Sequence, residues 1–295
     1  MDFVAGSVNF KQYYIDRIMT RNKRYQCNLP QNLLEKAVRE LNEPRENAER
    51  LKAIDDLRST VKKSCPEIEL LRDDDLFFLA FLRAKKFNQE KALKTMVNFH
   101  NQRRNWPEVM DKVSSPVVLG DFLSHGPNVP LKGKAKDGST LIVGRPGIGV
   151  TNSLTDFIAS SLLTIQELVL EDEETQISGV TNIEDLAYVS LEFAKQMNPS
   201  LASKSFGMVQ DAMPVRLKGL NITNEPKFFE VFWAIVSPFM AEKQRKRFRV
   251  HGTDFTNLYE EVADRSVLPH MFAGTGPELP VEEWKIKLMG ESTAL

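Results

Sequence analysis

Residues 209–243 read VQDAMPVRLKGLNITNEPKFFEVFWAIVSPFMAEK, and this stretch decides the fold. In its centre, EPKFFEVFWAIVSPFM (225–240), the side chains of Phe228, Phe229, Val231, Phe232, Trp233, Ile235, Val236, Phe239 and Met240 cover most of a helix circumference. A surface helix carries one apolar stripe. A helix apolar nearly all round is covered on both sides, or it touches an apolar molecule that comes and goes. A plain core helix has the same periodicity, so the pattern alone leaves both open. Upstream, Val215 to Ile222 reads as a strand on which Arg216 and Lys218 point the same way. Downstream, KQRKRFR (243–249) carries Lys243, Arg245, Lys246, Arg247 and Arg249, with Lys243 and Arg247 one helical turn apart. Such clusters suit polyanionic head groups through charge-assisted hydrogen bonds, although a solvated basic face at a helix C-terminus looks alike. An apolar helix running into a basic cluster is what a membrane-docking gate requires.

Working outward toward the N-terminus, short strands alternate with helices. Phe248 to His251 reads as a strand, Pro226 to Lys246 as one aromatic helix, and Pro199 to Asp211 as a helix. A helix is expected near 190–197, a strand over Ile177 to Leu186, and a long apolar helix over 153–171. Thr140 to Val143 (TLIV) follows the turn signal Asp137-Gly138 and reads as a strand. Strands separated by helices argue for a mainly parallel sheet flanked by helices. Before them stands a helical region. Leu33, Leu34, Ala37, Val38 and Leu41 recur at helical spacing, as do Leu51, Ile54, Leu57 and Val61 up to Cys65-Pro66. Asp73 to Asp75 place acids at the start of DDDLFFLAFLRAKKF, and Asn88 can cap the helix that Pro107 follows. The expected organisation is an N-terminal arm over 1–27, a helical domain over 28–112, an α/β domain over 113–277 and a loose tail over 278–295.

Composition removes several function classes. The chain has 295 residues, 42% hydrophobic and 27% charged, with a formal net charge of −1, so nothing global favours nucleic acid. Cys27 and Cys65 form neither a CxxC pair nor a disulfide framework, and they fit reduced cytoplasmic thiols. No secretory signal opens the chain, and no apolar run reaches the about 18 residues a spanning helix needs. GRPGIG (144–149) follows a strand but matches neither GxGxxG nor GxxxxGK[ST], and Pro146 removes an N–H that could face a phosphate. The residues four after Tyr13, Tyr14, Tyr25, Tyr188 and Tyr259 are Arg17, Ile18, Leu29, Glu192 and Ala263, so no YxxxK pair exists. His100, His125, His251 and His270 stand apart, without metal-ligand spacing, and no GxSxG elbow is present. The acidic run Glu171 to Glu174 reads as a solvated helix end. The usual reasons to propose an enzyme, a metal or a cofactor are therefore missing.

At this point the chain resembles the CRAL-TRIO lipid-binding proteins, nearest the tocopherol-transfer, cellular-retinaldehyde-binding and clavesin-like branch. The carrying motifs are FLRAKKFNQEKA (81–92), the stretch 209–243, RVHG (249–252) and VLPHMFAGTGP (267–277). The resemblance implies a helical N-terminal domain and an α/β domain whose lid helix, starting near Asn224-Glu225-Pro226, covers a lipid cavity. Carried over by position, the cavity residues are Leu162, Gln166, Val180, Glu184, Val189, Leu191, Met197, Ser205, Met208, Val209, Met213 and Leu220. Phe228, Phe229, Phe232, Ile235, Val236 and Phe239 face them from the lid. Lys85, Arg216, Lys218, Lys243 and Arg247 match the positions of a phosphoinositide cleft. Glu184 departs from the pattern, standing where an aromatic is common; a carboxylate there must be hydrogen-bonded, protonated or turned away. It pairs with Gln166 or a ligand hydroxyl, or else it faces outward. Met197, Met208 and Met213 imply an adaptable wall. The implied function is a non-enzymatic, cytoplasmic carrier that takes a small hydrophobic ligand (isoprenoid, retinoid or tocopherol-like) to phosphoinositide-containing endomembranes. It needs no cofactor, metal or nucleic acid. The alternatives are a phospholipid-exchanging sensor of the phosphatidylinositol-transfer type and a membrane adaptor; a dehydrogenase built on GRPGIG stands last.

Overall fold

The computed structural model describes residues 24–149 and 153–289. Residues 1–23 of the expected arm and 290–295 of the expected tail lie outside the described residues.

Local signals set the first helices, α1 (Gln31–Leu41), α2 (Asn47–Ser64), α3 (Asp75–Ala84) and α4 (Gln89–Asn105). Asp74 accepts from Phe77 N (3.1 Å) and Asn88 accepts from Lys91 N (2.9 Å), each supplying the oxygen that a helix start lacks. Inside, Phe77 meets Phe81 edge-on at 5.2 Å and Phe81 meets Phe99 at 5.7 Å. Pro107 does not close the helical region. It opens α5 (Pro107–Ser114), where its missing N–H leaves no helical bond unmade, and α6 (Gly120–Ser124) follows.

The sheet order is β1-β2-β3-β4-β5. β2 (Thr140–Gly144), β3 (Val180–Asp185), β4 (Leu217–Thr223) and β5 (Phe248–Val250) run parallel, as the alternation of elements predicts. β1 (Asn128–Lys134) was not legible. NVPLKGK mixes Pro130 and Gly133 with lysines, a pattern tolerated only on an edge, and β1 is the edge, antiparallel to β2. Between the strands lie α7 (Leu154–Glu171), α8 (Glu173–Ser178), α9 (Leu191–Lys195) and α10 (Pro199–Gly207). α8 is why β3 begins at Val180 rather than Ile177. One sheet face packs Leu141, Val143 and Ile183 on Leu258, Leu268 and Phe272, around α13 (Thr256–Glu261). The other face carries Ile142 and Val180 into an apolar core shared with α7 and the N-terminal helices.

Three expectations are corrected. The aromatic segment is not one helix: α11 (Phe229–Val236) stops before Pro238, a 3₁₀ turn follows at Ser237–Phe239, and α12 (Glu242–Arg245) resumes. Proline has no N–H to continue the helical ladder. The acids 171–174 are not a solvated end. Glu171 accepts from buried Arg72, and Glu173 accepts from Arg83 Nη1 (2.8 Å), whose Nε donates to Glu43 (2.8 Å). A buried guanidinium left unpaired is costly, so these pairs tie the helical segment to α7 and α8. Finally, the tail is helical over α14 (Val281–Met289), with Trp284 Nε1 donating to Thr164 Oγ1 (3.2 Å). No described helix is long and apolar enough to cross a membrane.

Candidate functional site

Between the β3–β5 part of the sheet, α7 and the aromatic segment lies a cavity of about 230 Å³. Its floor is the second sheet face: Asn182 and Glu184 from β3, Leu220 and Ile222 from β4, and Phe248 from β5, each two residues apart where a strand gives two. One wall is a stripe of α7 at helical spacing, Leu154, Ile158, Leu162 and Ile165. α11 forms the lid, placing Phe228, Phe229, Phe232, Trp233 and Val236 over the floor. The Trp233 ring stacks on Phe248 at 4.1 Å, so the lid rests on the sheet edge by aromatic contact. Its outer side is bare: Val231 is 68% exposed.

The two ends of the lid are held by side chains. Asn224, in the left-handed region (φ 51°), donates from Nδ2 to Asp185 Oδ1 (2.8 Å). At the other end Gln210 donates from Nε2 to Phe239 O (3.1 Å) and accepts from Ala241 N (2.6 Å). Gln210 sits in the π-turn Met208–Ala212 and also lines the cavity.

Of the positions named from the sequence, Leu162, Glu184, Val189, Met197, Ser205, Val209, Leu220, Phe228, Phe229, Phe232 and Val236 line this space. The others do not. Gln166 lies off the α7 stripe and accepts from Arg103 Nη1 (2.9 Å) instead. Val180 starts β3 and is sealed in the core at the far end from Glu184. Leu191 is 46% exposed, because α9 turns Phe193, Ala194 and Met197 inward. Met208 and Met213 are buried in the core around the π-turn, so of the three expected methionines only Met197 forms wall. Ile235 and Phe239 pack on the core from outside the cavity lining. Phe157, Ile158, Ile165, Phe193, Phe206 and Trp233 were missed, although extending the period of Leu162 along α7 finds Ile158 and Ile165.

Among the described residues, Glu184 is the one ionisable group in the lining. Burial pushes its carboxyl up to about 7 and neighbouring Asp185 adds to this, against the bond from Asn182 Nδ2 to Glu184 Oε1 (3.2 Å). GRPGIG serves packing here: Gly147 has φ 80°, and a Cβ on it would lie 2.4 Å from Tyr188 O. Pro146 of that loop lines the cavity.

Lys85, Arg216, Lys218, Lys243 and Arg247, the positions matched to a head-group cleft, lie within electrostatic reach of one another beside the lid. Lys243 is held below its ordinary value by partial burial and by Arg247, Lys86, Arg216 and Lys218, and Lys85 by burial and, against the pull of Asp211, by Lys243 and Lys91. Lys86, with φ 55°, is the member that was missed. Arg216 pairs with Glu40 (3.4 Å) and Lys218 with Asp137 (3.7 Å). Among the described residues, no group of three His, Cys, Asp or Glu could hold a metal ion.

An α/β sheet covered by helices, with an apolar cavity closed by an aromatic lid, defines a hydrophobic-ligand-binding fold. The chain belongs to the CRAL/TRIO family of lipid-binding and lipid-transfer proteins, whose domain model matches residues 125–274. It is 36% identical over 267 residues to a human (Homo sapiens) protein named alpha-tocopherol transfer protein-like, covering 90% of this chain and 76% of that one. It is 29% identical over 270 residues to Clavesin-1 of Rattus norvegicus, covering 90% of this chain and 74% of that one. Among solved structures, that of Sfh5 aligns with a TM-score of 0.47 at 16% identity, over 79% of this chain and 88% of that one.

Proposed function

We propose that this protein encloses one small hydrophobic molecule, of isoprenoid, retinoid or tocopherol type, and transfers it to membranes without chemical change. The observation that carries the reading is the apolar cavity of about 230 Å³ roofed by α11, whose aromatic rings form its ceiling and whose far side is exposed. A guest burying about 400 Å² of apolar surface gains about 10 kcal/mol at about 25 cal/mol per Å². Such a guest rarely leaves into water, so delivery requires the lid to open against an apolar acceptor. The 113–277 segment carries the cavity, and the helical 28–112 segment contributes Lys85 to the basic cluster. Lys85, Arg216, Lys218, Lys243 and Arg247 dock on phosphoinositide head groups at cytoplasmic endomembranes and bias the lid toward opening. That bias requires tighter binding of the head group to the open form. A relative named alpha-tocopherol transfer protein-like supports the reading.

The test is mass spectrometry of a solvent extract of the purified full chain, followed by transfer of the identified molecule between vesicles. One small apolar molecule bound per chain, delivered faster to phosphoinositide vesicles, is the expected result. A whole phospholipid in the extract replaces this reading by the sensor one. An extract without lipid, from protein that also takes none up from vesicles, overturns it.

A further inference from the structure

Outside the lipid cavity the fold carries a polar space. A cleft of about 310 Å³ opens between α4 and α10, lined by Asn98, Asn101, Gln102, Asn105, Trp106 and Lys204. A neighbouring cleft of about 230 Å³ meets it at Trp106 and Lys204 and adds Gln196, Asn198 and Glu108. Six carboxamides thus converge around one ammonium. Small-molecule sites begin at about 300 Å³. Asn98 donates from Nδ2 to Asp211 O (3.2 Å) in the π-turn Met208–Ala212. Gln210 of that turn clasps the lid, and Asp211 lies within electrostatic reach of Lys85. The cleft therefore borders both the lid and the basic cluster.

Asn98, Asn101, Gln102 and Asn105 stand at i, i+3, i+4 and i+7, so they share one face of α4. Other surface positions of that helix carry Lys91, Lys94 and Arg104, better helix formers than asparagine. An asparagine side chain competes for the backbone and weakens a helix interior, which is where Asn98 and Asn101 stand. All three asparagines of α4 lie on the cleft face, so helix stability is given up where the cleft is, as at functional sites. The side chains of Gln102, Asn105 and Lys204 have no hydrogen bond or ion pair among the described residues. A carboxamide offers donors and an acceptor, and its complement is a group that does both, such as a hydroxyl. One ammonium balances one phosphodiester. A peptide backbone also donates and accepts, but a place beside the lid and the basic cluster is one that membrane docking brings to head groups.

We propose that this cleft is a second head-group site, for a membrane lipid whose head is a polyol on a single phosphodiester. The hydroxyls lie on the carboxamides of α4, and the phosphodiester lies on Lys204. The inference rests on the membrane-docking reading of the basic cluster but takes a different head, rich in hydroxyls and singly charged. Two contacts, one on each side of the π-turn, fix the orientation in which the lid meets the bilayer. The second contact forms at high effective concentration once the first has formed, so a weak site suffices.

The experiment is co-sedimentation of the full chain with phosphatidylcholine vesicles that hold phosphatidylinositol or phosphatidylserine at equal mole fraction. The two lipids carry the same net charge and differ in their hydroxyls. Phosphatidylinositol vesicles should bind at least about fivefold tighter, the size of one net hydrogen bond. Asn101→Ala with Asn105→Ala should bring that ratio below about twofold and leave phosphatidylserine binding as it was, by loss of those bonds. Its melting temperature should stay equal or rise, because alanine is the better helix former; a purely structural role would lower it and keep the ratio. Binding to phosphatidylinositol bisphosphate vesicles should be unchanged in this variant and lost in Lys85→Glu with Lys243→Glu. Equal binding of phosphatidylinositol and phosphatidylserine by the wild type overturns the proposal and leaves a peptide as the remaining complement. A preference that persists in the asparagine variant overturns it too, since it then arises elsewhere. A wild type that prefers phosphatidylinositol but ignores bisphosphate vesicles supports the cleft and overturns the docking role of the basic cluster. Binding to no vesicle overturns both.

Discussion

Gly144 stands opposite Glu184 in the parallel pairing of β2 and β3, and a Cβ added to it would lie 1.9 Å from Glu184 Oε2. The carboxyl therefore lies across the sheet in space that only a glycine leaves free. Gly144→Ala must push the carboxyl off this place and break its bond from Asn182. The expected loss is about 1 kcal/mol. In a Glu184→Ala background the same change should be neutral or stabilising, because alanine loses less backbone entropy than glycine in a strand. A double-mutant cycle by urea denaturation checks this. Identical effects of Gly144→Ala in both backgrounds would show that the two residues do not share that space.

Glu184 also sets a pH dependence. Burial holds its carboxyl up to about 7 from an ordinary value of 4.5, with Asp185 adding. Its folded-state value is raised, so its contribution to stability is fully present below about pH 4.5 and is lost as pH rises through about 7. Wild type should lose about 3 kcal/mol between pH 5 and pH 8 relative to Glu184→Gln. Denaturant titrations of both proteins at the two pH values measure it, and parallel behaviour of the pair would place the carboxyl in water.

Gln210 should govern how fast the lid opens. Its amide clasps Phe239 O and Ala241 N at that end of the lid. Gln210→Ala removes both bonds, worth about 1–2 kcal/mol together. Amide hydrogen exchange over 229–241 should speed up about tenfold, and ligand release to vesicles should rise with it, by that free energy. Global stability should change little, since the outer side of α11 is exposed and contributes little to the core. Unchanged exchange would mean the lid opens at its Asn224 end alone.

How much of this the sequence carried follows the range of the interactions. Asp74 and Asn88 sit three residues from the N–H groups they cap, and both helix starts were legible. The parallel strands read through their apolar runs. Glu171 and Glu173 were misread because their partners, Arg72 and Arg83, lie 99 and 90 residues away, and no local pattern encodes such a pairing. β1 carries Pro130 and Gly133 because an edge strand tolerates them, which erases the very signal used to find strands. The lid was found from its composition, but Pro238 was passed over, and with it the break that separates α11 from α12. For the cavity, position by resemblance located the right elements and on α7 placed Leu162 correctly but Gln166 not. Gln166 lies about 100° round the helix from Ile165, which lines the space.

The basic cluster yields a test that avoids structural ion pairs. Arg216 and Lys218 are partly used by Glu40 and Asp137, so reversing them disturbs the fold as well as the cleft. Lys85 and Lys243 form no ion pair among the described residues. Each is depressed first by burial; Lys243 then by Arg247, Lys86, Arg216 and Lys218, and Lys85 in part by Lys243. Asp211 offsets part of the repulsion on Lys85, but like charges brought this close still gain from a polyanion and screen with salt. Lys85→Glu with Lys243→Glu should weaken sedimentation with phosphoinositide vesicles by about tenfold or more, about 1 kcal/mol or so per charge near a membrane surface. Thermal stability should stay equal or rise, because repulsion is relieved, and the cavity ligand should stay bound. Wild-type binding should fall steeply with ionic strength and that of the double variant should not. Vesicle binding that is salt-independent, or unaltered in the double variant, would remove the cluster from membrane docking while leaving the cavity and its guest untouched.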